Sequence, residues 1–416
     1  MLDISFIREN PDKVKEGIIK KGYDPILVDK VLESYKKWVD VLQKVDELRG
    51  ERNKISEQRT TTGEQRGREI KEELKELEPQ LNKVEEEYNL ALREIPNLPL
   101  PNVPIGKDES ENKVLRKWGE PKKFPFTPKD HLELGEALDI IDVQRAAKVS
   151  GARFAYLKGD AALLEFALVQ FAFQQLTKEK FIPLVPPVLV QEEAMRGMGF
   201  MEHGGREDMY ILDRDGLVLA GTSEQSVGPM HSDEVFEKEE LPKRYVAFSS
   251  CFRREAGSYG KDTRGILRVH QFDKVEMFSF VAPEDSQKEH EYLLSLEEKL
   301  FRTLEIPYQI VQMCTGDLGH PSASKFDIEA WMPGQEKYRE VTSTSNTTDY
   351  QARRLNIKYR DGGETKFTHT VNGTVFAIGR TIIAILENYQ QKDGSVIVPE
   401  VLRLYMGKDR IIPKSA

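Results

Sequence analysis

The chain has 416 residues, and its 61 Lys and Arg against 70 Asp and Glu give a formal net charge of −9. A protein that binds a polyanion over its whole surface needs an excess of Lys and Arg, so that class is excluded, although a local basic site is not. Two cysteines, Cys251 and Cys314, are too few for a disulfide framework or a four-cysteine zinc site, and they predict a reducing compartment.

The apolar stretches predict a protein of the cytoplasm. Residues 1–10 lack the apolar run of a signal peptide. The most apolar region, 161–176, is interrupted by Glu165 and Gln170, which argues against a membrane span. We therefore expect a soluble cytoplasmic protein of two or three domains, without a membrane partner.

Two long helices with coiled-coil spacing are predicted in the first quarter. Apolar residues recur there at alternating steps of 4 and 3, first at Val31, Tyr35, Trp38, Leu42 and Val45 and then at Ile70, Leu74, Leu77, Leu81, Val84, Tyr88, Ala91 and Ile95. The segment from Thr60 to Gly63 predicts a turn between them. The helices should form an antiparallel hairpin over about 31–95, within an N-terminal domain of residues 1–95. Because each would be about 45 Å long, more than a compact core can bury, the hairpin should project as an arm.

The charge along this arm is uneven. Residues 49–68, around the predicted turn, include three acidic and six basic residues. The basic ones are Arg49, Arg52, Lys54, Arg59, Arg66 and Arg68. Residues 72–94 of the returning helix instead hold eight Glu and three basic residues. The basic tip is either a solvated helix face or a contact surface for a polyanion such as RNA.

A proline-rich segment separates the arm from the rest of the chain. Four prolines lie between Pro96 and Pro104, so 96–106 is predicted to be an extended connector. Short β-branched runs such as 245–249 and 275–281 then alternate with helical patterns such as 285–302. The predicted fold class of residues 107–416 is α+β, with an antiparallel sheet flanked by helices.

The densest group of candidate functional residues lies in a predicted strand, loop and strand over 251–277. One strand would carry Arg253 and Glu255 on one face, and the other would carry Arg268, Phe272 and Glu276. Arginine can hold a phosphate, an aromatic ring can stack on a base, and a carboxylate can receive an ammonium. The set suits a nucleotide together with an amino acid, and the alternative is a hairpin with cross-strand salt bridges.

The run Phe252-Arg253-Arg254-Glu255 resembles the second signature motif of the class II aminoacyl-tRNA synthetases, and 257–276 resembles the following loop and strand of the seryl-tRNA synthetases. The resemblance extends to the arm and to further segments in the same order, which are Thr222-Ser223-Glu224, 339–343, 351–357, Gly379-Arg380 and 387–390. Two departures from the bacterial type stand out. Residues 225–231 differ from the usual continuation, and Leu404 stands where proline is usual.

The resemblance implies an ATP site. Arg253, Glu255 and Arg380 are the implied catalytic residues, with Arg253 on the α-phosphate and Arg380 on the γ-phosphate. Phe272 is implied to stack on adenine, and Glu340 with Ser343 to hold Mg²⁺. The implied ATP-binding set is Arg253, Arg254, Glu255, Arg268, Phe272, Glu340, Val341, Thr342, Ser343 and Arg380.

It also implies a serine pocket and a tRNA partner. The implied pocket residues are Thr222, Ser223, Glu224, Arg253, Glu276, Asn372 and Thr374. The implied activity is ATP-dependent formation of seryl-adenylate and transfer of serine to tRNA(Ser), and to tRNA(Sec) where present, with the six basic residues of the tip as the tRNA contacts. ATP is then a substrate, Mg²⁺ is the cofactor, and no zinc is expected.

The resemblance further implies a homodimer. The implied interface includes a helix around Glu165 to Thr177 and a strand ending at Pro186. From the residues alone, these segments are apolar enough for either a core or an interface.

Local alternatives stay open for single motifs. Thr222-Ser223-Glu224 is also a helix-capping pattern, and Glu276 needs a buried partner that a substrate ammonium, Arg268 or Lys274 could provide. Two other functions are alternatives for the whole chain. An amino-acid:carrier-protein ligase would lack the long arm, and a non-catalytic paralogue would not need the intact charged residues of the ATP site.

Overall fold

The computed structural model describes residues 1–58, 61–203, 205–256 and 264–413, without the side chains of 57–58 and 61–63. The chain divides into two units, Met1–Leu98 and Pro99–Ala416. Within the described residues, no helix has both the length and the apolar character needed to cross a membrane. Cys251 and Cys314 are buried free thiols.

The first unit is helical. Its helices are α1 (Ile4–Glu9), α2 (Pro11–Lys20), α3 (Ile26–Gln58) and α4 (Thr61–Arg93). Trp38 stacks on Tyr88 with ring centroids 5.3 Å apart, and nearer the tip Arg66 contacts Glu51 at 2.9 Å. Since the partner number on α4 falls as the number on α3 rises, the two helices are antiparallel. The predicted coiled-coil hairpin is therefore confirmed, while its projection as an arm stays a prediction.

Most of the predicted turn is helical instead. Thr61, Thr62 and Gly63 belong to the first turn of α4, and Thr60 lies outside the described residues. A glycine inside a helix costs only about 1 kcal/mol relative to alanine. Packing along the apolar seam, where Val45 and Ile70 are fully buried, can outweigh that penalty.

The second unit is an α+β body. Its helices are α5 (His131–Ala137), α6 (Val143–Ser150), α7 (Asp160–Lys178), α8 (Glu192–Met198), α9 (Glu224–Val227), α10 (Ser286–Thr303), α11 (Tyr350–Leu355), α12 (Ile378–Tyr389) and α13 (Arg403–Met406). Its strands are β1 (Lys113–Trp118), β2 (Ile141–Asp142), β3 (Tyr156–Leu157), β4 (Ile182–Leu184), β5 (Leu189–Gln191), β6 (Ile211–Leu212), β7 (Leu217–Leu219), β8 (Val235–Glu237), β9 (Lys243–Phe252), β10 (Gln271–Val281), β11 (Tyr308–Gln312), β12 (Ser324–Met332), β13 (Lys337–Thr348), β14 (Lys358–Asp361), β15 (Glu364–Phe367), β16 (His369–Ala377), β17 (Val396–Ile397) and β18 (Arg410–Ile411).

An eight-stranded sheet organises this unit, in the order β1-β11-β12-β13-β16-β10-β9-β4. Every neighbouring pair is antiparallel except β4 with β9, so the predicted fold class is confirmed. The strand expected to end at Pro186 ends at Leu184, because prolines at 186 and 187 cannot donate to a ladder.

The two faces of the sheet differ in character. On one face, Val275 and Met277 of β10 and Ile328 of β12 share a buried core with apolar residues of α7, α10 and α12. Because side chains alternate along a strand, the intervening Lys274 and Glu276 lie on the opposite face. We call this opposite face, which carries Glu276 of the predicted site, the polar sheet face.

Candidate active site

The segment after β9 does not continue as a strand. The strand ends at Phe252, and Glu255 has a left-handed backbone with φ of 54°. Asp208 holds the segment from outside the sheet, since its carbonyl accepts from the Arg254 amide at 2.8 Å and its carboxylate from the Ala256 amide at 3.0 Å. The prediction that Arg253 and Glu255 share a strand face is therefore wrong.

The second predicted strand also begins later than expected. Arg268 precedes β10, whereas Phe272 and Glu276 lie in it. Arg268 nevertheless reaches Glu255 through an ion pair of 2.5 Å. The structure thus brings these two candidates together through a side-chain contact. Residues 257–263 of the predicted loop lie outside the described residues.

Arg253 is fixed by three neighbours. Its amide donates to the His270 carbonyl at 3.0 Å, and its Nε donates to the Gly221 carbonyl at 3.0 Å. Its guanidinium carbon lies 5.3 Å from the centroid of the Phe272 ring. A cation and an aromatic ring in contact are suited to a phosphate and a base of one nucleotide.

A β-bulge brings the two predicted magnesium ligands to one face. Ile328 pairs with Thr342 and Glu329 with Glu340, so Val341 is an extra residue on β13. Residues three apart on a regular strand would face opposite sides, and the bulge places Glu340 and Ser343 on the same side.

The charges around Glu340 keep it ionised. Arg380 lies 3.1 Å from its carboxylate. Burial acts to raise the pKa of Glu340, but the charges of Arg380, Lys325 and Arg253 together outweigh it and lower the pKa to about 2. The Glu340 carboxylate is therefore ionised at neutral pH and can serve as an oxygen ligand for a metal ion.

Asp327 is a candidate site residue that the motifs of the sequence did not indicate as one. It pairs with Ser343 across the strands, and its Oδ1 is buried without a hydrogen-bond partner among the described residues. Burial raises its pKa to about 7, although Lys325 opposes the shift. A signal was present, because Lys325, Asp327 and Glu329 alternate with apolar residues in β12 and so share the polar sheet face.

The segment from Thr222 to Glu224 is buried beside the sheet. Ser223 precedes α9 but makes no side-chain capping bond, and its hydroxyl lies 2.9 Å from the Ser249 hydroxyl. The Thr222 hydroxyl and one Glu224 carboxylate oxygen are buried without a hydrogen-bond partner among the described residues. The capping interpretation is therefore wrong, and the two orphaned oxygens are available to a ligand.

A second bulge assembles the rest of the predicted pocket. Val275 pairs with Phe376 and Glu276 with Thr374, so Val375 is the extra residue on β16. The Thr374 hydroxyl donates to Glu276 at 3.2 Å. Asn372 is also on this strand and is buried.

Of the open partners for Glu276, the structure selects Lys274. The two side chains form an ion pair in which both are buried. Glu224 is the second carboxylate here, and burial together with the charge of Glu276 raises the pKa of Glu224 to about 7. The pocket thus combines two carboxylates with one ammonium group.

The departures at 225–231 and Leu404 are accommodated differently. The Gln225 side chain accepts a hydrogen bond from the Gly221 amide at 2.7 Å. Because the Gly221 carbonyl in turn accepts from Arg253, Gln225 supports the position of that arginine. His231 is bound by Glu234 at 2.6 Å and by Tyr245 of β9 at 2.8 Å. Leu404 is 87% exposed on α13.

Comparison with known proteins relates both units to one family. Residues 210–389 match the tRNA synthetase class II core domain (G, H, P, S and T), and residues 1–99 match the seryl-tRNA synthetase N-terminal domain. The serine–tRNA ligase of Dictyoglomus thermophilum is 47% identical over 424 residues and covers all of both chains. That of Thermodesulfovibrio yellowstonii is 45% identical, covering 99% of this chain and 100% of its own.

Two solved structures are similar over nearly their full length. The seryl-tRNA synthetase from Pyrococcus horikoshii complexed with ATP has a TM-score of 0.92, 41% identity and complete coverage of both chains. The cytoplasmic serine–tRNA ligase from Naegleria fowleri in complex with AMP has a TM-score of 0.88 and 34% identity, covering 100% of this chain and 99% of its own.

Proposed function

The chain belongs to the seryl-tRNA synthetase family, and we propose that its polar sheet face activates L-serine with ATP and passes it to tRNA(Ser), and to tRNA(Sec) where present, in the cytoplasm. Its full-length relatives are serine–tRNA ligases, and the chain is an enzyme of that class. One observation carries the residue-level proposal. Arg253 lies against Phe272, and this pair suits a nucleotide. Glu224 and Glu276 interact, and their carboxylates suit an ammonium. The two groups adjoin because Phe272 and Glu276 share β10, and Arg253 directly follows the neighbouring strand β9.

The first step joins serine to ATP. A serine carboxylate oxygen attacks the α-phosphorus, and the bond from that phosphorus to the bridging oxygen of pyrophosphate breaks. Arg253 would stabilise the charge on the α-phosphate, and Arg380 would bind the departing phosphates. No protein nucleophile is required, because both bonds that change belong to the substrates.

Magnesium fits the oxygen donors beside the phosphate position. Among the described residues, no three His, Cys, Asp or Glu side chains form a metal cluster. Mg²⁺ usually takes one or two carboxylates together with phosphates and water. The ionised Glu340 and the Ser343 hydroxyl would hold it, with the Asp327 carboxylate, 3.7 Å from Lys325, on the neighbouring strand. Bound there, the ion would neutralise phosphate charge.

In the second step, a terminal ribose hydroxyl of tRNA attacks the seryl carbonyl and AMP leaves. The serine pocket sets which amino acid reaches this step. Alanine would leave buried polar partners such as Thr374 without the substrate hydroxyl, whereas threonine must be rejected by its extra methyl group.

A second copy of the chain is proposed to cover an apolar patch on α7 and β4. Four residues are exposed to solvent there, namely Leu163 (49%) and Phe166 (63%) on α7, Ile182 (50%) on β4 and Val185 (74%) directly after β4. Apolar residues grouped in this way mark interaction surfaces rather than an ordinary surface. A homodimer through this patch would bury them.

Replacing Phe166 with Asp should weaken that dimer about a hundredfold, because an unpaired charge in an interface costs about 3 kcal/mol. Sedimentation equilibrium measures the mass directly. The control Ile105→Asp changes a residue that is 73% exposed in the connector and should leave the mass unchanged. A wild-type chain that sediments as a monomer, or a Phe166→Asp dimer of full strength, would contradict the proposal.

Charging of purified tRNA tests the complete proposed function. With ATP, serine and tRNA(Ser), the chain should form acid-precipitable seryl-tRNA. Transfer of serine to a carrier protein instead would favour the carrier ligase, and binding without any charging would favour the non-catalytic paralogue. The intact Arg253, Glu255, Glu340 and Arg380 argue against that paralogue, and the 33-residue helices α3 and α4 argue against the carrier ligase.

A further inference from the structure

Lys274 lies inside the serine pocket but has no role in the two steps above. Its side chain is 8% exposed, and it forms an ion pair with Glu276, whose side chain is 3% exposed. The two residues stand two apart on β10, opposite Ser249 and Ala247 of β9. A buried lysine needs compensation as much as a buried carboxylate does, so the pair must be explained together.

The pocket has more negative charge than one amino acid can neutralise. Glu224 and Glu276 are both buried, and the charged groups that act on Glu224 are Glu276, Lys274, Arg253 and Lys325. Serine brings one ammonium, while its carboxylate must lie toward Arg253 and ATP. Two carboxylates facing one ammonium would leave an unpaired buried charge, which is strongly unfavourable.

Resting on the proposed function, we infer that Lys274 is a positioning and specificity-determining residue of the serine pocket: its ammonium neutralises one of the two buried carboxylates, so that the pocket accepts a single substrate ammonium. The hydrogen bond from Thr374 and the ion pair from Lys274 both reach Oε2 of Glu276. They fix this oxygen from two strands, β10 and β16.

The inference predicts a proton effect that a purely structural lysine would not produce. Burial and Glu276 already raise the pKa of Glu224 to about 7, and Lys274 acts against this shift. Without Lys274, the Glu224 carboxyl would keep its proton at neutral pH, and serine would have to displace that proton to bind. The resulting loss of affinity should shrink as the pH rises, whereas a packing defect would weaken serine binding equally at every pH.

The test compares Lys274→Met with wild type in serine-dependent exchange of pyrophosphate into ATP. The KM for serine should rise about tenfold at a pH of about 7.5 and only about twofold near pH 9, because a displaced proton costs a factor of about ten per pH unit below the pKa. The kcat and the KM for ATP should change much less. Lys274→Arg keeps the charge and should restore most of the affinity.

The matched control is Lys243→Met, which breaks a lysine–glutamate pair of 3.0 Å with Glu240 near the start of β9. It should leave the serine KM unchanged at every pH. A serine KM of Lys274→Met that is unchanged, or raised by the same factor at all pH values, would overturn the inference while the proposed function stands. A wild type without serine-dependent exchange would overturn both.

A measurement on the wild type keeps the inference testable if Lys274→Met does not fold. Calorimetry in buffers of different ionisation enthalpy counts the protons released when a stable seryl-adenylate analogue binds. About half a proton should leave near pH 7, and almost none near pH 9, as Glu224 is already ionised there. Release of a whole proton that persists near pH 9 would show that Lys274 does not neutralise Glu276, and it would overturn the inference. A complex that forms near pH 7 without releasing any proton would also contradict it.

Discussion

Replacing Arg253 with alanine should lower the kcat of serine-dependent pyrophosphate exchange about a thousandfold, the loss typical of removing one fixed donor from a developing charge. The side chain is held for this purpose by the Gly221 carbonyl and lies against Phe272. Because it would act on charge that grows during the reaction, kcat should fall far more than the KM for ATP rises. Steady-state exchange with ATP and serine varied in turn separates the two constants.

The matched control is Arg360→Ala, which also removes an ion-paired arginine, bound to Glu237 at 2.9 Å, but on a different sheet. Its exchange rate should stay within about twofold of wild type. Thermal unfolding of both variants checks that each is folded. A folded Arg253→Ala chain that exchanges pyrophosphate at the wild-type rate would remove Arg253 from the catalytic site.

Shortening the helical hairpin should abolish tRNA charging and spare pyrophosphate exchange. Excision of all of 31–95 is unsuitable, because Val31, Tyr88 and Ile95 belong to the core formed with Ile7 and Ile18. Replacing residues 40–84 with a short Gly-Ser linker keeps this core. Charging kcat/KM should then fall about a thousandfold, because the basic side chains that would bind the tRNA phosphates are removed, while exchange stays within about twofold.

The structure also divides the six basic residues of the tip. Arg49 is paired with Glu78 at 2.9 Å, and Arg66 with Glu51 and Glu73 at 2.9 Å each. Arg52, Lys54 and Arg68 have no ion-pair partner among the described side chains, and Arg59 lies outside the described residues. Three of the predicted tRNA-binding residues are therefore better placed than the others to bind phosphate.

Changing Arg52, Lys54 and Arg68 together to Gln refines the hairpin experiment. The KM for tRNA should rise, and the salt dependence of binding should weaken by nearly one unit of slope for each phosphate that is no longer neutralised. The control changes Lys71, Lys75 and Lys83 of the returning helix to Gln, which removes the same charge from the same arm. Equal effects of the two triple variants, or full charging by the shortened chain, would refute the assigned role of the tip.

The helices are predictable because a spacing of 4 and 3 depends only on local sequence. The seam of Val31 to Val45 and of Ile70 to Ile95 indicates both legs of the hairpin from that spacing alone. The same holds for β9 and β10, whose β-branched runs lie inside the observed strands. Periodicity therefore accounts for most of the fold class.

The site requires information that periodicity does not contain. The end of β9 is set by Asp208, a residue distant in sequence, and Glu340 joins Ser343 only because Val341 is an extra residue in the ladder. The proposed serine pocket contains Lys274 as well as Glu224, and no spacing rule distinguishes that buried lysine from one on the surface. Long-range contacts and bulges account for these differences.

The central claim is tested most directly by exchange of radiolabelled pyrophosphate into ATP, measured with each standard amino acid in turn and without tRNA. Serine should support exchange, and alanine and threonine should support it at least about a hundredfold more weakly. Alanine would lose a buried hydrogen bond, and the extra methyl group of threonine would not fit the pocket. Exchange that depends on another amino acid, or no exchange with serine, would contradict the proposal that this site makes seryl-adenylate.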